Sequence, residues 1–375
     1  MSKIAIDARF LRKETAGLGR YTRGLISGLS KIDKANQYTV FITPDDEKDF
    51  IFSAPNIKKR VINVPHYSYA EQTIFLSALL KEKFDLVHFT NFNHPLLYRR
   101  PFVVTIHDLT MTFFQTGRKQ QSRLRRLAYE AIMKHAVIAS KAIIAVSDST
   151  KNDVATHYSA INKEKIFVTY EAADEQFMVQ DSKEILKIIE KYGIQFPYFF
   201  FVGQWRPHKN LIKMLTAFEK FIKKNPTYSL VIAGKYDSEF AQLKEAVDRY
   251  AFLYPNNIKI LGFVPDEDLP KLFSGCSAFV FPSLSEGFGL PVIEAIACGA
   301  PVIASNLDVL KEILDDSALF VDANSEDELI NAMETIIDFS VTENLRRKGL
   351  LRARGFTWEA TAKATFNVYN KILSR

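Results

Sequence analysis

Short runs that are apolar almost throughout alternate along this chain with longer stretches of helical periodicity. In the first half the predicted strands are Lys3–Ala8, Tyr38–Thr43, Asp85–Phe89, Phe102–Ile106, Ala142–Ser147 and Lys165–Tyr170. The pattern then starts again with Tyr198–Gly203, Ser229–Gly234, Asn257–Gly262, Ala278–Ser283, Pro301–Ser305 and Ala318–Asp322. Runs without polar alternation are those of parallel strands covered on both faces. Between them the spacing predicts helices such as Arg20–Lys31, Asp181–Tyr192, Leu211–Lys224 and Glu239–Leu253. Strand–helix alternation of this kind predicts βαβ units and doubly wound parallel sheets. Two such series imply an α/β protein of two Rossmann-like domains, 1–172 and 173–355, breaking near Glu171-Ala172-Ala173-Asp174. A last helix, Trp358–Leu373, carries Trp358, Phe366, Tyr369 and Leu373 on one face.

Composition agrees with that division. The 375 residues are 47% hydrophobic and 25% charged, which suits two soluble domains and excludes a disordered chain. Two cysteines, Cys276 and Cys298, exclude a disulfide framework and a cysteine-based metal site. A net charge of +6 over this length is too mild for nucleic-acid binding. It suits an anionic small ligand or an anionic membrane surface. Met1–Asp7 lacks the long apolar core of a signal peptide, and no apolar run approaches the ~20 residues of a bilayer span, so the expected compartment is the cytoplasm.

In open α/β sheets ligands bind beyond the carboxyl ends of the strands, so the segments just after each strand are where chemistry is sought. The most informative is Phe281 to Ser305, in which a strand runs into a loop holding Gly287 and Gly289, followed by Pro291 at a helix start. Glycines admit a ligand to the backbone N–H groups, and a helix N-terminus adds partial positive charge. The result is a phosphate cradle, Gly287-Phe288-Gly289-Leu290, flanked by Glu286 and Glu294, two carboxylates suited to sugar or ribose hydroxyls. Near the N-terminus, Gly17-Leu18-Gly19 reads as a loop between the first strand and the helix Arg20–Lys31. A dinucleotide fingerprint requires a third glycine where Thr22 stands, which counts against a nicotinamide-dependent dehydrogenase. Asp266-Glu267-Asp268 has the letters of a metal-binding triplet, but its place at a helix start makes Asp266 an N-cap. The basic stretch Arg118, Lys119, Arg123, Arg125, Arg126 is either a solvated helix face or a patch for an anionic membrane or lipid diphosphate.

Together with its order of motifs, the 281–305 segment resembles the E-x7-E signature of glycosyltransferase family 4, the retaining GT-B enzymes that use nucleotide sugars. The other matching features, spread over essentially the whole chain, are Gly17-Leu18-Gly19-Arg20-Tyr21, His107-Asp108 after a strand, Ala145-Val146-Ser147 before a helix begun by Ser149, and Gly203 through Lys209-Asn210. The resemblance implies a GT-B fold with the two domains facing across a cleft and the 356–375 segment returning to the first. It implies that His107 sits beside the donor sugar as an orienting group and that Glu286 contacts the sugar. It places Gly17, Gly19, Arg206, Lys209, Val264, Gly287, Phe288, Gly289, Leu290 and Glu294 around the donor, and Arg20, Tyr21, Asp108 and Ser147 on the acceptor side. Many relatives carry an arginine directly after the glycine where Gln204 stands here, and Arg206 is expected to supply that charge from two residues away. No metal and no cofactor are expected. The implied activity is hexosyl transfer from a nucleoside-diphosphate sugar to a glycan or lipid-linked acceptor, with peripheral contact at an anionic membrane. GDP-mannose is the first choice of donor, with UDP-glucose and dTDP-rhamnose left open. The alternatives are an NAD-dependent dehydrogenase and a non-catalytic sugar-nucleotide-binding protein.

Overall fold

The apolar runs do fold as parallel strands, because side chains on both faces of each are covered. The computed structural model describes residues 1–11, 17–47, 50, 54–113 and 123–374. They fall into two units: Met1–Phe113 with the described part of Gln120–Ala172 and with Thr357–Arg375, and a second unit spanning Ala173–Phe356.

The first unit contains β1 (Lys3–Asp7), β2 (Gln37–Ile42), β3 (Ile57–Val61), β4 (Leu86–Phe89), β5 (Phe102–Ile106), β6 (Ala142–Ala145) and β7 (Ile166–Val168). They form one parallel sheet in the order β3-β2-β1-β4-β5-β6-β7, with Ile4 registered against Tyr38 on one side and Leu86 on the other. One face packs under Leu25, Ile26 and Leu29 of the first helix, and the other under Phe75, Met133 and Val137. Strand β3 was not expected. Its sequence, Ile-Lys-Lys-Arg-Val, has no apolar run because it is an edge strand with its middle residues turned to water, and charge on an edge discourages further pairing.

The first helix also differs from expectation. It spans Gly17–Ile32, so Gly17 and Gly19 lie in its first turn rather than in a loop. The turn is closed by the Thr22 hydroxyl, which donates to the Leu18 carbonyl at 2.8 Å. The helix Trp358–Leu373 lies along this first helix. Gly24 and Gly28 make the close approach possible: a Cβ on Gly24 would meet the Trp358 ring at 2.1 Å, and one on Gly28 would meet Ala362 Cβ and the Trp358 carbonyl at 2.5 Å. Small residues therefore fill the seam. The buried face is Thr361, Ala362, Thr365, Val368 and Tyr369, while Trp358, Phe366 and Leu373 of the expected stripe flank it half-buried. The Thr361 hydroxyl also donates to the Tyr170 carbonyl at 2.6 Å, tying the two segments that lead into and out of the second unit.

In the second unit β8 (Tyr198–Val202), β9 (Ser229–Ala233), β10 (Ile258–Gly262), β11 (Ala278–Phe281), β12 (Val302–Ser305) and β13 (Ala318–Val321) form a parallel sheet in the order β10-β9-β8-β11-β12-β13. Phe199, Phe201, Leu215, Phe218 and Ile232 are among its fully buried residues. Each sheet reverses its winding once, between β1 and β4 in the first unit and between β8 and β11 in the second. At such a switch point the loops leaving the two adjacent strands diverge, leaving a crevice at their carboxyl ends.

Candidate active site

In the second unit the two loops that leave the switch-point strands are Gly203–Asn210, after β8, and Pro282–Gly289, after β11. They are stitched together by Leu284, whose N–H donates to the His208 carbonyl at 2.7 Å. Across them the Lys209 ammonium meets Glu286 Oε1 at 2.5 Å, both side chains largely buried, and lies 5.0 Å from the centre of the Phe281 ring. One cation and one carboxylate, far apart in sequence, thus face each other over the crevice. The helix Leu290–Ala297 starts beside them. Gly289 caps it with φ of 90°, a left-handed conformation that a side chain would disfavour, and Pro291 fits the first turn. Pro291 has no N–H and the Val292 N–H donates to the Gly289 carbonyl at 2.9 Å, so what this helix start offers an anion is chiefly the partial positive charge of its N-terminus.

Other expected donor residues are placed differently from one another. Glu294 is the fifth residue of this helix and is only 1% exposed. Phe288 is buried edge-on against Phe356, with ring centres 5.9 Å apart, so its backbone and not its ring borders the loop. Gly287, Leu290 and Val264 are also buried. Arg206 is not drawn to Lys209: its Nε donates to Asp237 at 3.1 Å, and its side chain is 41% exposed. Asp266 does not cap a helix. The N-cap position of Leu269–Gly275 belongs to Asp268, which is buried and receives hydrogen bonds from Lys191 and Tyr192 at 2.6 and 2.7 Å. Among the described residues no group of three or more His, Cys, Asp or Glu side chains is arranged to hold a metal ion.

In the first unit His107 follows β5. Its Nε2 donates to the Thr90 carbonyl at 2.9 Å, and its Nδ1 lies 2.8 Å from Glu171 Oε1. The Tyr21 ring stands edge-on to it, 4.7 Å away at 85°. Burial disfavours the charged imidazole, but the hydrogen bond and charge of Glu171, then the Thr90 carbonyl and Asp108, outweigh it and raise the pKa of His107. Both ring nitrogens are thereby engaged within the first unit, an arrangement that favours the doubly protonated ring. Glu171 is the residue that sequence reading missed; it sits after β7, where the chain looked like a linker, and nothing in its local pattern marks it.

Two expected acceptor-side residues are interior ones. Tyr21 is fully buried, its hydroxyl 2.9 Å from Thr105 Oγ1, and burial pushes its pKa up. Thr105 in turn meets His88 Nε2 at 2.8 Å, and His88 Nδ1 meets the Tyr369 hydroxyl at 2.6 Å. Ser147 is buried and caps the helix Asp148–His157, accepting from the Thr150 N–H at 3.0 Å, so Ser147 and not Ser149 starts that helix. Arg20 is half-buried in the first helix, and Asp108 is exposed, accepting from the Thr110 N–H at 2.7 Å. Of the basic stretch, Arg118 and Lys119 and the side chains of Arg123 and Arg125 lie outside the described residues. Arg126 pairs with Glu130 at 2.8 Å on an exposed turn.

Two family descriptions match the chain nearly end to end: Glycosyltransferase Family 4 over residues 15–177 and Glycosyl transferases group 1 over residues 184–348. The chain belongs to glycosyltransferase family 4. Among curated relatives of this glycosyltransferase, the O-antigen chain mannosyltransferase B of Escherichia coli is 27% identical over 99% of this chain and 100% of its own length. The O-antigen chain mannosyltransferase RfbU of Salmonella typhimurium is 29% identical over 67% of this chain and 64% of its own. Solved structures with the same GT-B fold include sucrose-phosphate synthase from Thermosynechococcus elongatus, with a TM-score of 0.80, 19% identity and full coverage of both chains. Anabaena HepE in complex with UDP and glucose superposes with a TM-score of 0.78 at 17% identity, over 99% of this chain and 100% of that one. No described helix is long and apolar enough to cross a membrane.

Proposed function

We propose that this glycosyltransferase moves a mannosyl group, with retention of anomeric configuration, from GDP-mannose to a growing glycan or lipid-linked acceptor. The observation that carries the reading is the meeting of Lys209 and Glu286 over the switch-point crevice, beside the N-terminus of Leu290–Ala297. Breaking the bond from the anomeric carbon to the diphosphate oxygen leaves negative charge on the nucleoside diphosphate and positive character on the sugar. A fixed ammonium and the partial positive charge of the helix N-terminus stabilise the first. A neighbouring carboxylate holds the sugar hydroxyls and favours the second. Glu294, buried one turn further along the helix, is assigned to the ribose. The mannosyl preference is supported by two relatives that are mannosyltransferases by name.

The acceptor class supports a further step: a lipid-linked glycan is reached from the membrane surface, so peripheral contact with anionic lipid is part of this reading. Two measurements test the proposal. The first is transfer of labelled sugar from GDP-mannose, UDP-glucose and dTDP-rhamnose to a lipid-linked acceptor, with the anomer of the product read by NMR. Transfer from GDP-mannose with retention is the expected result. Transfer from only another donor overturns the mannosyl assignment, and none from any donor overturns the enzyme reading. The second is sedimentation with vesicles containing phosphatidylglycerol, in which a chain that stays in the supernatant at low salt overturns the membrane contact.

A further inference from the structure

We infer that Glu171 is a positioning residue for glycosyl transfer, holding the His107 ring in one orientation with hydrogens on both nitrogens. The inference rests on the functional reading above together with the place beside the donor sugar that the family resemblance implies for His107. A backbone carbonyl can only accept, so the 2.9 Å contact with Thr90 O fixes a hydrogen on Nε2. The carboxylate 2.8 Å from Nδ1 then holds the second hydrogen. Thr90 is itself held, its hydroxyl donating to the Asp7 carbonyl at 2.6 Å. Glu171 is 4% exposed, so water does not compete for it.

The charged and titratable groups around the ring can be named from each element packed on it. Tyr21 comes from the first helix and is buried and neutral. His88 comes from β4, and burial followed by the charge of His107 keeps it neutral down to about 3. Asp108 is the next residue in the chain and favours the cation, as does Glu171 from beyond β7. From the helix Asp148–His157 the Thr150 hydroxyl lies 3.4 Å from the His107 carbonyl. Glu171 is therefore the single buried carboxylate bonded to this imidazole among the described residues.

Two consequences follow for the reaction. His107 has no lone pair with which to take a proton from the acceptor, so it serves as a fixed cation and not as a general base. And because Glu171 raises the pKa of the ring, loss of its charge sets in at higher pH in wild type than in an enzyme whose histidine lacks that carboxylate.

The test compares wild type with Glu171→Gln across pH 5.5–8.5, with nucleoside-diphosphate binding and melting temperature as controls for folding. Glutamine keeps the hydrogen bond to Nδ1 and removes only the charge. In the variant kcat is expected to fall about tenfold per pH unit above the lowered pKa of His107, with KM for the donor little changed. The ring itself is followed by NMR of full-length protein labelled at histidine, which needs no activity: the His107 signal should titrate at lower pH in the variant. A variant whose pH–rate profile parallels that of wild type overturns the role of Glu171, whatever the ring does. A wild type that transfers no sugar overturns the functional reading instead, and a Glu171→Ala variant separates loss of charge from loss of the hydrogen bond.

Discussion

Lys209 and Glu286 form an ion pair, 2.5 Å apart, across the two loops that leave the switch-point strands β8 and β11. Each therefore satisfies the charge of the other. A diphosphate entering the crevice competes with Glu286 for the ammonium, while a sugar hydroxyl competes with Lys209 for the carboxylate. Lys209→Ala is expected to weaken binding of the bare nucleoside diphosphate by about 10- to 100-fold, the range for a charged hydrogen bond. Glu286→Gln frees the ammonium, so it should leave that binding unchanged or tighter while kcat with the sugar donor falls about tenfold or more, since its interaction strengthens as the sugar flattens. Glu294→Gln should do the reverse, weakening the bare nucleotide while sparing turnover at saturation. Calorimetry and steady-state rates separate these outcomes, and a Glu286→Gln enzyme that loses the nucleotide as badly as Glu294→Gln would refute the division.

The absence of a metal requirement is a second expectation. With an ammonium and a helix N-terminus at the diphosphate, transfer should continue in excess EDTA. Activity lost in EDTA and regained with manganese or magnesium would assign the leaving-group charge to a cation instead.

Helix contact in the first unit can be tested without activity. Gly28→Ala places a methyl 2.5 Å from a backbone carbonyl that cannot swing away, and Gly24→Ala places one 2.1 Å from the Trp358 ring. Each should destabilise the first unit by about 1–3 kcal/mol, as overpacking does. Trp358→Leu should recover part of the loss at Gly24 and little at Gly28. Urea midpoints for the three single and two double variants would give the coupling directly, and additive effects at Gly24 and Trp358 would contradict the contact.

Acid sensitivity follows from His88. Burial, then the charge of His107, lowers its pKa from the ordinary histidine value to about 3. The unfolded chain binds a proton below about 6.5 that the folded one refuses, so the stabilising effect is complete above that pH and is lost as pH falls from there toward 3. The slope is on the order of 1 kcal/mol per pH unit for such a group. His107 has the opposite sign: its raised pKa contributes stability below the ordinary value and loses it as pH rises through the raised one. Melting temperature measured from pH 7.5 to 4.5 should fall on the acid side, and His88→Gln should flatten the fall.

Much of the fold was legible because parallel strands covered on both faces must be apolar at nearly every position, as Phe199, Phe200 and Phe201 are. Strand β3 was invisible for the complementary reason: at the sheet edge, Lys58 and Lys59 need no cover. The loops carrying Lys209 and Glu286 could be found because glycine, proline and charge cluster after strands, but not that the two side chains would pair, since pairing across 77 positions is set by sheet order. Tyr21 was misplaced because an aromatic beside a glycine motif looks the same in sequence whether it faces a ligand or a core. Glu171 carries no local signal. Its partner lies 64 positions earlier, and only the adjacency of β5, β6 and β7 brings their ends near one another.

The seam between the first helix and Trp358–Leu373 also bears on how the chain is made. Ala362, Val368 and Tyr369 belong to the same buried cluster as Ile4, Leu25 and Tyr38, yet they are synthesised after all of the second unit. At the usual pace of a ribosome those intervening residues take roughly 10–40 s. Through that interval the groove at Gly24 and Gly28 stands open and its apolar lining is available to a chaperone. The second unit, whose described residues run unbroken from Ala173 to Phe356, can finish folding while the first, begun earlier, still waits for its last helix.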